Sequence, residues 1–441
     1  MRELISLHLG QAGSQVGHSL WELLCQEHDI DFRGHCAYER IEGDPFKSFF
    51  HETNSGQYLP RAVFCDSDPQ SQNSAVAQLF NPRDVLTYKQ DAKSNFFEGR
   101  RQATEYHVVE AVMDRLRRQA DLCDNLAGFF TFNAFGGGTG SALGVELLES
   151  IKETFGQKVQ SFNPAIYPSF QFSSNVVEPY NCLFSTAYTR DTADLAILLD
   201  NQGAYRLCKN ELHINKPSYT DLNKLIAEMV SGSTASLRFD SMLNASLTEI
   251  TTNLVPEPNL HYCLLSLAPL DKYTDTTRQV VADLFQPKSF LADVSTPRLL
   301  KDNRYLAASI LLRGRRLQAI EAIEAIKSRT NPSTRSYSDA LVRFPPWTPQ
   351  GFKVGIVGVP AERGAVMLAN TTAARALFVR NYEKFLKLFY HKAFVWQFLE
   401  AGGEMDLFYE AKDLVVDLIQ RYTDIITNCV AAETGSELAS L

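Results

Sequence analysis

Along the first 200 positions, apolar residues fall into short, nearly unbroken runs, separated by stretches where they recur every third or fourth residue. Leu4 to Leu9 is such a run, and Gln11 to Glu27 reads as the helix after it. Arg61 to Cys65 is a second strand. Val108, Val109, Val112, Leu116 and Leu122 mark one face of a long helix from about Glu105. A strand from Gly128 to Phe135, a helix from Ser141 to Phe155 and a strand from Leu195 to Leu199 follow. Strands alternating with helical patterns predict a parallel sheet with crossover helices. Unbroken apolar runs predict that both faces of that sheet are covered.

Tyr219 to Phe239 reads as one long, largely buried helix without proline. Beyond it, strands are predicted at 260–268, 305–312, 352–358 and 364–369, with helices near 276–285 and 316–327. Ser328 to Pro346, rich in Ser, Pro and Arg, reads as a connecting loop. The last stretch is helical by pattern: Leu407, Ala411, Leu414, Val415, Leu418, Tyr422 and Ile425 repeat at three and four, so one face packs and the other meets solvent.

Composition narrows the function classes. The chain has 441 residues, enough for roughly three domains. With 43 Lys+Arg against 51 Asp+Glu, its net charge of −8 gives no basic footprint for general nucleic-acid binding. No stretch nears the ~18 consecutive apolar residues of a membrane helix. The first residues lack the apolar block of a secretory leader, so none is expected. The eight cysteines are scattered without a C-x-x-C pair, against a zinc site or disulfide framework and in keeping with a reducing cytosol.

Candidate chemistry concentrates in two glycine loops. Phe135-Gly136-Gly137-Gly138-Thr139-Gly140-Ser141 follows a buried strand and opens a helix. Consecutive glycines let backbone N–H groups approach an anion, and the helix start adds free donors and partial positive charge. Taken alone, the run is equally a tight strand-to-helix turn. Leu9-Gly10-Gln11-Ala12-Gly13-Ser14-Gln15-Val16-Gly17 has the same setting. Two such loops at one end of a parallel sheet suit a nucleotide di- or triphosphate. The G-x-x-x-x-G-K-[ST] pattern is missing, and Gly10, Gly13 and Gly17 do not fit G-x-G-x-x-G.

These loops, with VVEPYN at 176–181, TASLRF at 234–239, TNLVP at 252–256 and KAF at 392–394, resemble the tubulin family in the same order. The resemblance spans essentially the whole chain. It implies an α/β tubulin fold: a Rossmann-like GTPase domain with a parallel sheet (1–201), an intermediate α/β domain including the long central helix 219–239 (202–370), and a C-terminal helical pair (371–441). It also implies a cytoplasmic, cytoskeletal GTPase whose hydrolysis is coupled to polymerisation, with GTP/GDP and Mg2+ as ligands. Its partner would be a tubulin-family subunit in a heterodimer, or itself in a homopolymer, with neither nucleic acid nor membrane.

Residue by residue, the resemblance places nucleotide contacts at Gly10, Gln11, Ala12, Gln15, Asp66, Ala92, Ser94, Ala134, Gly137, Gly138, Thr139, Gly140, Ser141, Glu178, Asn201, Tyr219 and Asn223. Gln11 would reach the phosphates and Mg2+ shell, Glu178 the ribose, and Asn201 and Asn223 the guanine edge, which needs paired amide groups. Tyr219 would stack on the base. Asp68, two residues after Asp66, would hold Mg2+ through water, as hard oxygen ligands do; otherwise the pair is an Asx turn before Pro69. Glu249 would be catalytic in the neighbouring subunit, positioning the attacking water at the γ-phosphate.

Several positions depart from the family pattern. Ser94 stands where tubulins carry Asn, Lys93 replaces a small residue, Ser246 replaces an acid and Ala142 the last glycine of the signature. Glu249 is alpha-like, yet the connection Gly358 to Gly364 is short as in beta-tubulin. The loop Leu270 to Thr277 is also short, and the tail holds only Glu433 and Glu437. This mosaic fits a divergent eukaryotic tubulin or a prokaryotic homologue. Two rival readings stand beside it: a non-hydrolysing nucleating or capping relative, and a dinucleotide-dependent oxidoreductase, which would need a different glycine spacing.

Overall fold

In the computed structural model, the described residues form one ten-stranded sheet and a separate two-stranded hairpin. All residues are described except 1, 37–44, 69–74, 89, 170–172, 174, 242, 244–245, 270–275, 295–301, 315–316, 331–341, 359–363 and 439–441. The chain begins β1 (Glu3–Leu9), α1 (Gly10–Glu27), β2 (Phe50–Glu52), β3 (Tyr58–Pro60), β4 (Ala62–Asp66), β5 (Val85–Thr87), α2 (Phe96–Glu105) and α3 (Val108–Asp121). There follow β6 (Leu126–Ala134), α4 (Thr139–Phe155), β7 (Gln160–Tyr167), α5 (Glu178–Thr189), β8 (Leu195–Asp200), α6 (Asn201–Arg206), α7 (Tyr219–Ser233) and α8 (Leu247–Leu254). Then come β9 (Tyr262–Ala268), α9 (Thr277–Leu284), β10 (Tyr305–Arg313), α10 (Ala319–Thr330), β11 (Phe352–Val357) and β12 (Gly364–Thr371). The chain closes with α11 (Arg375–Tyr390), the short α12 (Val395–Glu400) and α13 (Met405–Leu438).

The sheet is ordered β11-β10-β12-β9-β8-β7-β6-β1-β4-β5, with β2 and β3 paired apart from it, and from β5 across to β9 every pairing is parallel. Among the described strands of this sheet only β12, antiparallel to both β9 and β10, runs the other way. The sheet is continuous between the first two units expected from the sequence, because β8 pairs with β9 at Ala196↔Tyr262, Ile197↔Cys263 and Leu198↔Leu264. Alternation divides the strands between two cores: Ile197 and Leu199 pack with α1 and α7 residues such as Leu24 and Ile226, while Ala196 and Leu198 pack with Phe378 of α11. No helix among the described residues is long and apolar enough to cross a membrane.

Three differences from the sequence reading have physical causes. The central helix ends at Ser233 rather than Phe239, and Ala235–Leu237 is a 3-10 turn. The Ser233 and Thr234 hydroxyls donate to the Val230 carbonyl at 2.8 and 3.0 Å, competing with helix propagation. The chain then turns Arg238 back to donate to Ser231 O at 2.8 Å and pair with the buried Glu27 at 2.8 Å. Arg313 meets the same carboxylate, so α1, α7 and β10 share one buried ion cluster. The two guanidinium groups hold the Glu27 carboxyl below its ordinary range despite burial.

The helix expected from about Glu105 is α3, which starts only at Val108 because the chain breaks at His107, whose φ is 50°; α2, ending at Glu105, was not expected. The pattern also passed over β7, α5 and the β2–β3 hairpin, whose mixed polar and aromatic residues carry little periodicity. The loop Leu270 to Asp275, the connection Val359 to Arg363 and most of the segment Ser328 to Pro346 lie outside the described residues, as do the side chains of Glu433 and Glu437.

Candidate nucleotide-binding cleft

Strand β1 lies between β6 and β4. Its crossover leaves in the opposite direction to that of β6, so the loops after β1 and β6 meet at a switch point, outside the C-terminal strand ends. Here a cavity of about 850 Å3 opens. Its floor is backbone. Gly10 adopts φ +68°, and a Cβ there would stand 3.1 Å from Gly140 N, so the two loops touch through glycine. Gly138 passes Asn95 N so closely that a Cβ would lie 2.6 Å away. Gly137 is different: a Cβ would meet no protein atom within 4 Å, and its φ is not in the left-handed region. Neither packing nor backbone geometry requires glycine there, which leaves the space for a ligand.

Of the residues expected from the sequence, the cleft is lined by Gly10, Gln11, Ala12, Gln15, Asp66, Asp68, Ala92, Ser94, Ala134, Gly137, Gly138, Thr139, Gly140, Glu178, Asn201, Tyr219 and Asn223. Ser141 stands outside this lining. Helix α4 starts at Thr139, which puts Ser141 in its first turn, fully buried. Its hydroxyl donates to the carbonyls of Gly137 and Gly138, the latter at 3.1 Å, so it braces the loop from behind. Lys93 is exposed and stands outside the lining.

Electrostatically the lining is one-sided. It carries the carboxylates of Asp66, Asp68, Asp91 and Glu178, and no Lys or Arg among the described residues. An anion would therefore be held by backbone N–H groups and the starts of α1 and α4. The paired Asp66 and Asp68 beside an anionic ligand need an intervening cation. No group of three or more acidic, His or Cys ligands occurs among the described residues, so phosphate oxygens would have to complete such a site. The donor set fits Mg2+ on those terms.

The end of the cleft away from the glycine loops is made of side chains at helix starts. Glu178 opens α5, Asn201 opens α6 and Tyr219 opens α7, with Asn223 one turn further on. Burial pushes the Glu178 carboxyl up, partly opposed by a hydrogen bond with Ser173. Tyr219 is 62% exposed at the rim. Ser218 and Asp221 form a reciprocal capping box that fixes the start of α7.

Sequence reasoning missed the amides that hold the loops. Buried Asn181 donates to Ser94 O at 2.7 Å and Gly136 O at 2.8 Å, and accepts from Phe96 N at 3.1 Å. It joins the 91–95 loop, where Lys93 and Ser94 hold φ of 49° and 55°, to the glycine loop. Asn95 caps α2 through Phe97 N at 2.9 Å and reaches Gln397 O of α12 at 3.0 Å. The signal for Asn181 was present, as the last residue of VVEPYN. Ala142 packs against α2, where a Cβ at Gly99 would lie 3.0 Å from its methyl and 2.5 Å from Gly138 O.

Glu249 lies elsewhere. Ser246 caps its helix, accepting from Glu249 N at 3.2 Å. In α8, Thr251 donates to Gln160 at 2.8 Å and Leu247 faces Gly128. Gln160 begins β7 and Gly128 lies near the start of β6. The cleft residue Ala134 is six residues further along β6, about 20 Å away at ~3.3 Å per residue. Glu249 and the cleft occupy opposite ends of one sheet.

Glycine cradles at the switch point of a parallel sheet, with carboxylates at one side and amides at the far end, define an α/β nucleotide-binding protein that does without a P-loop lysine. Residues 3–209 match the Tubulin/FtsZ family, GTPase domain, and residues 258–382 the tubulin C-terminal domain. The chain is 37% identical to the tubulin alpha-1 chain of Arabidopsis thaliana, over 96% of its own length and 97% of that relative's. The tubulin alpha-2 chain of Eleusine indica is similar to the same degree, at 37% identity with 96% and 97% coverage. This chain belongs to the tubulin family.

Proposed function

We propose that this protein is a GTP-binding cytoskeletal subunit that stacks head to tail into protofilaments, each subunit promoting hydrolysis in the next. The observation that carries this reading is the placement of Glu249 and the cleft at opposite ends of the sheet. A carboxylate at the opposite end of the sheet from its own cleft cannot serve it, but can enter the cleft of a subunit stacked on that end. Such contacts are heterologous and leave both ends open, so they propagate.

In this reading Gly137, Gly138, Thr139, Gly140 and the first turn of α1 hold the phosphates, while Glu178 accepts from the ribose hydroxyls. Asn201 and Asn223 read the guanine edge and Tyr219 covers the base. Asp66 and Asp68 would hold Mg2+ together with the phosphates, where the ion would supply charge neutralisation. Glu249 of the neighbour orients the water, so hydrolysis follows contact. The three units would be 1–201, 202–370 and 371–441, and the setting cytoplasmic, with a related subunit or a second copy as partner.

The test is Glu249→Ala. The variant should bind GTP and assemble, while phosphate release by the polymer falls by at least about 100-fold. Normal release from assembled variant overturns the role of Glu249. A second reading, a non-hydrolysing nucleating or capping relative, draws on Ser246, which caps α8 where the family carries an acid. Assembly-stimulated phosphate release by the unaltered protein excludes it.

A further inference from the structure

We propose that Arg380 is a positioning residue for nucleobase recognition, acting through Asp200 on Asn201. This rests on the guanine-nucleotide reading above. Asp200 is the last residue of β8 and fully buried; the next residue, Asn201, enters the cleft. From α11, Arg380 grips the Asp200 carboxylate with both prongs, Nη2 to Oδ1 at 2.7 Å and Nη1 to Oδ2 at 3.0 Å. The same carboxylate accepts from Gln202 N at 3.1 Å, capping α6, and from Asp293 N at 2.9 Å. Gln202 in turn donates to Asp293 at 2.8 Å.

The far end of α6 is fixed independently, by Arg206 donating to Phe290 O at 2.7 Å and Pro287 O at 3.1 Å. Gly203 packs so closely on this segment that a Cβ would lie 2.6 Å from Ala292 N. The direction in which α6 leaves β8, and with it the Asn201 amide, is therefore set at the Asp200 carboxylate. A buried carboxylate without its cation must reorient, draw in water or protonate. Each response loosens the cap one residue from the amide. An amide discriminates between base edges only when its donor and acceptor are held in register, because the wrong edge then leaves a buried polar group unpaired.

The experiment measures displacement of a fluorescent guanine nucleotide by GTP, ITP, ATP and inorganic tripolyphosphate, using the full chain and its Arg380→Met and Arg380→Lys variants. ITP keeps the sugar and phosphates but lacks the 2-amino group. The full chain should prefer GTP to ITP. Arg380→Met should narrow that ratio by at least about fivefold, and Arg380→Lys, which keeps the charge without the fork, by at least about twofold. Tripolyphosphate affinity should stay within about twofold in both, because Arg380 does not reach the glycine loops. A purely structural role would weaken all four ligands together and leave the ratio intact, overturning the proposal. If Arg380→Met does not fold, an unchanged ratio in Arg380→Lys overturns it equally. Lack of guanine preference in the unaltered chain instead overturns the nucleotide reading itself, so the two failures are distinguishable.

Discussion

On the proposed nucleotide reading, the two ends of the cleft solve binding in different ways. At the phosphate end the groups facing the ligand are main chain, presented by Gly10, Gly137, Gly138 and Gly140 without a basic side chain in the described lining. At the base end they are side chains: Glu178, Asn201 and Tyr219 at the first residues of their helices, and Asn223 one turn into α7. Backbone N–H groups suit phosphate because any amide donor serves once the loop is correctly bent. A base edge needs donors and acceptors in a set order, which only side chains supply. The phosphate end should therefore be sensitive to backbone shape, and the base end to side-chain chemistry.

The sharpest break in that comparison is Asn181→Ala. It leaves Ser94 O, Gly136 O and Phe96 N without their buried partner, so stability should fall by about 2–4 kcal/mol in denaturant unfolding, with nucleotide binding lost. An unchanged midpoint would mean that the loops hold their shape unaided. Gly137→Ala separates shape from stability. Its methyl meets no protein atom, so stability should shift by less than about 0.5 kcal/mol while affinity for GTP falls ~100-fold. If calorimetry shows GTP binding undiminished in this variant, the glycine floor is not where phosphate sits.

Tyr219→Ala should be milder, because the ring is mostly exposed and contributes mainly a stacking face. A loss of about 1 kcal/mol in nucleoside affinity is expected, without change in tripolyphosphate binding. An equal loss for both ligands would erase the distinction between the ends.

Glu178→Gln gives the smallest effect, and its sign follows from burial. The Glu178 carboxyl has a raised pKa, so the folded state holds its proton to higher pH than the unfolded chain. This group's contribution to stability is present below the ordinary carboxyl pKa and is lost as pH rises through the raised value. Removing the charge should therefore stabilise the protein slightly at neutral pH and leave it unchanged in acid. Thermal melts across pH check it; a variant less stable at pH 7 would place a binding partner, not solvent exclusion, at the carboxylate.

Much of this was legible in the chain. The runs Leu4–Leu9 and Leu195–Leu199 fell within strands, and the glycines marked the loops, because tight turns and close approaches restrict residue type locally. The turn that follows the central helix was not legible, because it depends on Arg238 finding Glu27, 211 residues away. Nor was the start of α4, which lies at Thr139, two positions before Ser141. Asn181 stood in a quoted motif, but nothing local says that its amide bridges two loops.

The sequence by itself determined the element types, the covered parallel sheet and the two loops able to cradle phosphate, since periodicity and glycine placement act over a few residues. Tertiary structure decided which loops meet, that Arg380 reaches Asp200 across 180 residues, and that Glu249 stands at the far end of the sheet from its own cleft. Those relations come from the lateral order of strands. That order is set by which faces bury one another across the whole chain, and no local pattern encodes it.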